Sequence, residues 1–333
     1  MTIRMGIIGT GGIARAHARA AEHVDAVELV ALCDVSSEAL HPFGDEFGVE
    51  GLYADVGQML GKENLDTVSV CTWGNTHAEL AIQAASSGKV RGILVEKPIC
   101  STAAECEAMV AAAVDNGVLL AEAFKFRHHP MHLKMKELVD TDSIGEVRTV
   151  RSTFITNTPG EKIHKEHNWR WDPARGGGAI YDLACYCIHH ARFIYGCEPE
   201  MVFAVGQRNA TGIDERDTIL LKFPGGNMAE IAVSFRNHGS EYVEVHGTKG
   251  VLRADKAWNN ENSPTAIEAD FAESGSTRFD FEPVFQFGLQ LQHMCDCLIH
   301  GGTHRISPMN SLGQMKVIDA VFASMASGEK VKL

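Results

Sequence analysis

The fold is decided by Gly6-Ile7-Ile8-Gly9-Thr10-Gly11-Gly12-Ile13-Ala14, in which an apolar strand-like segment runs into a glycine-rich turn and then into a helical segment. Gly9 permits a tight turn, Gly11 lets the backbone approach a pyrophosphate, and Ala14 in the third position still allows close contact between helix and strand. The start of the helix directs N–H groups at the phosphates. The stretch predicts a dinucleotide-binding turn; the alternative is a glycine-rich turn of some other α/β protein.

A single carboxylate supports this interpretation. Asp34 ends the second apolar run, Val27–Cys33, about 20 residues beyond the glycines, where a ribose-binding carboxylate belongs. Such a carboxylate accepts hydrogen bonds from the ribose hydroxyls and repels a 2′-phosphate. Val35 and Ser36 follow it, and no arginine does. We therefore expect NAD to be preferred over NADP.

Composition excludes several classes of protein. The 333 residues are 45% hydrophobic and 22% charged, which is ordinary for a globular protein. The formal net charge of −13 disfavours nucleic acid or an anionic membrane as the main partner. The nine cysteines contain no CxxC pair and favour reduced thiols in the cytoplasm. We expect neither a signal peptide nor a membrane span, since no apolar run approaches about 18 residues.

The pattern of elements changes once along the chain. Residues 1–123 alternate short apolar strands with helical stretches, which predicts a parallel, doubly wound sheet. After Glu122, strand candidates are separated by turn signals such as Pro224-Gly225-Gly226. One helix, Ala179–Tyr195, interrupts them, and two more end the chain. We expect a second α+β domain over residues 124–333 with one large, mostly antiparallel open sheet.

Glu96-Lys97-Pro98 follows the predicted strand Gly92–Val95. The carboxyl ends of strands in a doubly wound sheet face the ligand crevice, and proline keeps the residue before it extended. Lys97 is thereby placed to polarise or protonate an alcohol or carbonyl oxygen. The alternative is a surface salt bridge of Glu96 at the end of the strand.

A glycine-rich segment, Gly176-Gly177-Gly178, lets the backbone lie close to a ligand or to another chain segment. The helix that follows places four polar side chains on one face: Asp182, Tyr186, His189 and His190. The alternatives are a solvated helix face, or a tyrosine whose ring belongs to the core.

The segment before these glycines is polar and contains a tryptophan, which suits a polyhydroxylated ligand; a surface loop is the alternative. It includes Glu161, Lys162, His164, His167, Asn168, Trp169 and Arg170. His164 and His167 have metal-ligand spacing, but with no evident third ligand we expect no metal.

Together these features resemble the Gfo/Idh/MocA family of NAD(P)-dependent oxidoreductases over nearly the whole chain. The matching motifs are Gly9, Gly11 and Ala14; Asp34; Thr72 to His77; Glu96-Lys97-Pro98; Glu122-Ala123-Phe124 with Arg127 and Pro130; Ile144 to Val147; and Gly176-Gly177-Gly178 with Asp182. Tyr186, where many relatives carry histidine, resembles the branch of dihydrodiol dehydrogenases, xylose dehydrogenases, glucose–fructose oxidoreductase and sugar 3-ketoreductases. Trp73, Ala184 and a longer turn over Gly88–Val95 depart from the family pattern.

The resemblance implies an NAD(P)-binding Rossmann domain over residues 1–123 and a substrate-binding domain over 124–333, through whose sheet the family commonly forms dimers or tetramers. It implies that Lys97 is catalytic and that Tyr186 is the proton donor or acceptor. The expected cofactor-binding residues are Gly9, Thr10, Gly11, Gly12, Ile13, Asp34, Thr72, Asn75, His77, Glu96 and Lys97. The expected substrate-binding residues are Arg127, His164, Trp169, Arg170, Asp182 and Tyr186.

The expected reaction moves a hydride between the nicotinamide and a hydroxyl or keto carbon of a sugar or cyclic polyol. Tyr186 would act as acid/base and Lys97 would polarise the substrate oxygen, with the exchanged roles as the weaker alternative. Asp182 would orient substrate hydroxyls or Lys97. The rivals are a trans-dihydrodiol-type dehydrogenase and a non-catalytic dinucleotide-sensing regulator.

Overall fold

A computed structural model describes residues 2–157 and 168–333 as two compact units. Unit 1 contains the chain up to Lys125 together with Phe285–Leu312, and unit 2 contains Phe126–Val284 and Gly313–Leu333. Residues 285–312, which the predicted division assigned to the C-terminal domain, thus pack in the first unit. No helix of the described residues has the length and apolar character needed to cross a membrane.

Unit 1 is built on a six-stranded parallel sheet in the order β3-β2-β1-β4-β5-β6. The strands are Ile3–Ile8 (β1), Val27–Cys33 (β2), Gly51–Tyr53 (β3), Thr67–Val70 (β4), Gly92–Val95 (β5) and Leu119–Glu122 (β6). The helices are Ala14–His23 (α1), Ser37–Phe47 (α2), Val56–Lys62 (α3), Gly74–Ser86 (α4), Ala103–Asp115 (α5) and Gln286–His300 (α8). The predicted doubly wound sheet is confirmed.

Local sequence explains most of these boundaries. The Ser36 hydroxyl accepts the Ala39 amide at the start of α2, and Thr102 forms a capping box with Glu105 at the start of α5. Helix α3, whose N-cap is Asp55, was not predicted from the sequence. Helix α3 has only seven residues, too few for a helical period to stand out.

The core of unit 1 explains why α8 belongs to it. Small side chains of α1, including Ala14 and Ala18, are fully buried and let a neighbouring helix approach closely. Leu291 and Cys295 of α8 belong to the same core cluster. A helix distant in sequence therefore covers α1, which local patterns do not reveal.

Unit 2 contains a nine-stranded sheet in the order β14-β13-β12-β11-β7-β10-β9-β8-β15. Its strands are Val147–Asn157 (β7), Met201–Arg208 (β8), Asp214–Lys222 (β9), Met228–Ser234 (β10), Arg236–Gly247 (β11), Gly250–Asp255 (β12), Thr265–Phe271 (β13), Gly275–Phe281 (β14) and Val331–Lys332 (β15). All neighbours pair antiparallel except β7 and β10, which are parallel. The predicted large, mostly antiparallel sheet is confirmed.

The helices of unit 2 are Pro130–Asp140 (α6) and Cys185–Tyr195 (α7), and Pro308–Ser327 (α9) continues into it from unit 1. A π-helical turn, Ile180–Ala184, leads into α7. The predicted helix Ala179–Tyr195 is therefore two helical forms in succession. Strands β13 and β14 were not predicted. Several of their outward side chains are charged or small, and such residues are uncommon in strands.

Candidate active site

The glycine turn follows β1 at the carboxyl edge of the parallel sheet. Gly9 has a φ of 91°, and a Cβ atom there would lie 2.8 Å from the Thr72 methyl group and 2.9 Å from the Cys71 carbonyl. A Cβ at Gly11 or Gly12 would meet no heavy atom of the described residues within 4 Å. The turn is thus tight at its first glycine and uncrowded at the next two, as backbone contact with a pyrophosphate requires.

Asp34 is joined to this turn by hydrogen bonds. Its Oδ2 accepts the Thr10 amide at 2.7 Å and the Thr10 hydroxyl at 2.9 Å, and its Oδ1 accepts the Ser36 amide at 2.9 Å. Val35 beside it is 92% exposed. Ile13 occupies the N-cap position of α1, and no side chain of the described residues caps that helix. The uncapped N–H groups fit an anion, and the fixed carboxylate fits a ribose.

Of the predicted cofactor-binding residues after β4, one is exposed and another is buried. Asn75 is exposed in the first turn of α4. His77 is buried, and its ring nitrogens lie 2.9 Å from the Pro98 carbonyl oxygen and 3.1 Å from the Thr72 carbonyl oxygen. Burial lowers the pKa of His77. Its contacts therefore tie the segment after β4 to the segment after β5.

Glu96 forms a buried ion pair that sequence reasoning did not find. His17 Nε2 lies 2.8 Å from Glu96 Oε1, and His17 Nδ1 lies 3.2 Å from the Ser69 hydroxyl. His17 is 2% exposed and Glu96 5% exposed. The other carboxylate oxygen of Glu96 accepts the Lys97 amide at 3.1 Å. The surface salt bridge considered for Glu96 is wrong, because the pair lies in the core.

The charges of this pair support each other. Burial favours neutral His17, but Cys71 and Glu96 outweigh it and raise the pKa of His17 to about 10. Burial likewise opposes ionisation of Glu96, yet His17 and Lys97 hold its pKa below the usual value. An imidazolium and a carboxylate therefore fix the backbone from which Lys97 projects.

In unit 2, the glycine-rich segment lies against other chain segments. A Cβ atom at Gly177 would lie 2.5 Å from the Trp169 carbonyl oxygen, and one at Gly178 would overlap the Asp214 carboxyl group. Asp182, four residues later, is buried, and its Oδ2 accepts the Arg170 Nε–H at 2.6 Å. The structure thus brings together two of the predicted substrate-binding residues, Asp182 and Arg170.

Tyr186 lies in an aromatic cluster and is 7% exposed. Its ring centroid is 5.5 Å from that of Phe154, 5.8 Å from that of Trp258 and 5.9 Å from that of Phe126. The ring therefore belongs to the core of unit 2.

The helix face that carries Tyr186 is not solvated. His189 and His190 on the same helix are fully buried, so the solvated face considered as an alternative is wrong. Burial and the neighbouring Arg127 lower the pKa of His189, and the same two causes lower that of His190 to about 3. Both rings are therefore neutral.

The remaining predicted substrate residues have distinct surroundings. Arg127 is buried, with Nη1 2.8 Å from His189 Nε2 and its guanidinium carbon 3.9 Å from the Phe193 ring centre. The Arg170 guanidinium carbon lies 4.9 Å from the Trp169 ring centre. His164, with Glu161, Lys162 and His167, lies outside the described residues.

Comparison with known proteins identifies the family. The GFO/IDH/MocA oxidoreductase model with an NAD-binding Rossmann fold matches residues 3–124, and the C-terminal domain model of the same family matches residues 132–253. This chain belongs to the GFO/IDH/MocA family. It is therefore an oxidoreductase that binds NAD(P), as its glycine turn and Asp34 indicated.

Relatives within the family include sugar and dihydrodiol dehydrogenases. D-xylose 1-dehydrogenase (NADP(+)) 2 of Haloferax volcanii is 29% identical over 98% of this chain and 99% of its own. The mouse trans-1,2-dihydrobenzene-1,2-diol dehydrogenase is 28% identical over 78% of this chain and 76% of its own. The structure of aldose-aldose oxidoreductase from Caulobacter crescentus superimposes with a TM-score of 0.89 at 25% identity over 100% of both chains.

Two buried features of this GFO/IDH/MocA chain were not predicted from its sequence. His17 occupies the buried face of α1 marked by Ala14, Ala18 and Ala21, so helical spacing alone could have placed it in the core. The pairing of Asp214 with the glycine-rich segment carries no comparable signal, because it joins positions distant in sequence.

Proposed function

We propose that this protein transfers a hydride between a nicotinamide dinucleotide and a hydroxyl or keto carbon of a sugar or cyclic polyol. The main observation behind the proposal is the buried His17–Glu96 pair. Because Glu96 also accepts the Lys97 amide, the pair holds Lys97 at the same sheet edge as the glycine turn and Asp34. Relatives named for xylose and aldose chemistry support the substrate class. The Arg170–Asp182 pair offers donors and an acceptor for hydroxyl groups.

NAD is proposed as the preferred cofactor. The Asp34 carboxylate, held by Thr10 and Ser36, is an acceptor for ribose hydroxyls and repels a 2′-phosphate. The Haloferax volcanii relative is named for NADP, so the preference needs a direct measurement. Titration of NADH and NADPH by fluorescence tests it, and tighter binding of NADPH would refute it.

Tyr186 and Lys97 are proposed to handle the proton. The bound nicotinamide supplies the hydride acceptor or donor. Tyr186 removes or returns the proton on the substrate oxygen. The phenol of free tyrosine has a pKa near 10, which is too high for a base at neutral pH. A lysine ammonium at the same oxygen stabilises the phenolate and polarises the carbonyl. Asp182 would orient substrate hydroxyls through its carboxylate.

The test of the function is NADH formation or consumption with a panel of aldoses, inositols, glycosides and their keto forms. We expect turnover on at least one of these substrates with saturable kinetics. Binding of NAD(H) without turnover on any of them would contradict the proposal and favour a dinucleotide sensor.

A second candidate function is a trans-dihydrodiol-type dehydrogenase. Several vertebrate relatives carry this name, including that of the mouse. Higher kcat/KM for trans-dihydrodiols than for any sugar would decide for this alternative.

We also propose a cytoplasmic homodimer or homotetramer that associates through the sheet of unit 2. None of the nine cysteines, all of which lie in the described residues, forms a disulfide, and Cys197 is the exposed one, which suits a reducing compartment. Sedimentation measurements test the assembly, and a concentration-independent monomer would refute it.

A further inference from the structure

Two aspartates of β9 lie together in the core of unit 2. Asp214 is 4% exposed and Asp217 is 2% exposed. Residues three apart on a regular strand point to opposite faces. Here the pairing with β8 shifts register between Gln207 and Arg208, so one extra residue of β9 intervenes and both carboxyl groups reach the same face. The bulge is therefore the reason that Asp214 and Asp217 lie on the same face of β9.

The negative charge of Asp214 lies close enough to the Asp217 carboxyl group to raise its pKa. No nitrogen or hydroxyl donor in the described part of the chain reaches either oxygen of Asp217. A buried carboxylate that has no donor and faces a second carboxylate is costly, and one proton held between the two groups relieves that cost. One proton and one negative charge is therefore the arrangement we expect for the pair.

Glycines on two sides make room for the pair. A Cβ atom at Gly178, whose φ is 120°, would overlap the Asp214 carboxyl group. A Cβ at Gly206 of β8 would overlap the Asp217 carboxyl group. Gly178 belongs to the segment that the sequence analysis singled out, so its small size serves the contact with Asp214.

The charged member of the pair touches the segment that leads to Tyr186. Asp214 Oδ2 accepts the Ile180 amide at 2.7 Å. Ile180 opens the π-helical turn that contains Asp182, and Tyr186 lies in the first turn of α7 directly after it. A carboxylate at the start of a helical segment also interacts favourably with the helix dipole. The position of Asp182 and Tyr186 is thereby tied to Asp214.

We propose that Asp214 and Asp217 form a proton-sharing pair that positions the segment carrying Asp182 and Tyr186. Both are positioning residues, and their effect on catalysis rests on the proposed function of Tyr186. While the pair holds its proton, Asp217 donates to Asp214 and Asp214 accepts from Ile180. When the proton leaves, two negative charges face each other in the core and the contact with Ile180 is strained.

Burial and the charge of Asp214 raise the pKa of Asp217 to about 8. Burial also raises the pKa of Asp214. Arg208 of β8 is a charged group that faces the pair, and its positive charge opposes the rise of both pKa values without cancelling it. Gly178 of the glycine-rich segment, Ile180 and Gly206 of β8 also lie beside the pair, and none of these three residues titrates.

The test compares Asp217→Asn with the wild-type enzyme. The amide of asparagine donates to Asp214 at every pH, so we expect the variant to lose a fall in kcat that the wild type shows near pH 8. At pH 7 its KM and its Kd for NADH should stay within about twofold of wild type, because Asp214 keeps its donor. Asp280→Asn, at an exposed aspartate of β14, is the matched control and should leave the pH profile unchanged.

Asp214→Asn tests the contact with Ile180. We expect kcat at pH 7 to fall about tenfold or more with NADH affinity unchanged, and amide hydrogen exchange over residues 178–188 to become faster. The proposal is overturned if Asp217→Asn keeps the wild-type fall near pH 8, or if Asp214→Asn leaves exchange over this segment unchanged.

The exchange measurement needs no turnover. It therefore still decides the positioning role if no sugar or dihydrodiol is a substrate and the proposed function fails.

Discussion

Glu96→Gln is the most informative single substitution, because it removes one charge from a fully buried pair. His17 Nε2 and Glu96 Oε1 are 2.8 Å apart, and His17 is only 2% exposed, so little water can replace the lost carboxylate. Breaking a buried pair by removing one partner costs about 3–5 kcal/mol. Cys71 and Glu96 together raise the pKa of His17 from 6.5 to about 10, so Glu96→Gln should remove part of this rise.

The sign of the pH dependence follows from that rise. A histidine whose pKa is raised in the folded state stabilises the fold. This contribution is fully present when the pH is below the pKa of histidine in the unfolded chain, which is near 6.5. That contribution is lost as the pH rises through about 10. Unfolding by urea, followed by circular dichroism at several pH values, should therefore show wild-type stability falling across this range. Glu96→Gln should flatten the dependence.

The double variant His17→Gln/Glu96→Gln tests whether charge or side-chain packing determines the loss of stability. Two glutamines leave no buried charge, so we expect the double variant to be at least about 2 kcal/mol more stable than the sum of the single losses predicts. Glu46→Gln is the matched control, since Glu46 of α2 pairs at 2.9 Å with Arg15, a partly exposed residue on the same helix as His17. That control should cost less than about 1 kcal/mol. A coupling energy below about 0.5 kcal/mol between His17 and Glu96 would refute the reasoning.

Three further predictions concern the cofactor and substrate sites. Gly9→Ala places a Cβ against the Cys71 carbonyl at a φ of 91°; calorimetry should show a loss above about 1 kcal/mol and NADH titration weaker binding. Asp34→Ser removes the carboxylate beside the turn, so the preference for NADH over NADPH should fall about tenfold or more in fluorescence titrations; an unchanged ratio would contradict it. Arg170→Met removes the partner of Asp182, so KM for the sugar should rise about tenfold while NADH affinity is unchanged.

The parts of the fold that local sequence determines were predictable. The glycine turn and the alternation of apolar strands with capped helices led to the parallel sheet, and Asp34 lies against the turn where spacing placed it. These features depend on neighbouring residues, whose backbone and side-chain preferences act over a few positions.

Features that depend on distant pairings were not predictable in the same way. The His17–Glu96 pair joins residues 79 positions apart, and the Asp214–Ile180 contact joins residues 34 apart. The β9 bulge that brings Asp214 and Asp217 to one face has no turn residue that marks it. The packing of α8 on α1 likewise joins opposite ends of the chain.

The most direct test of proton transfer by Lys97 and Tyr186 is single-turnover NADH formation on a sugar that the wild type oxidises. The test compares the wild type with Lys97→Met, Tyr186→Phe and the double variant. If an ammonium group and a phenol share the proton transfer, each variant loses about 10²- to 10⁴-fold in rate, NADH affinity stays within about twofold, and the double variant is little slower than either single one. A rate within about threefold of wild type in either variant, with cofactor bound, would contradict the account.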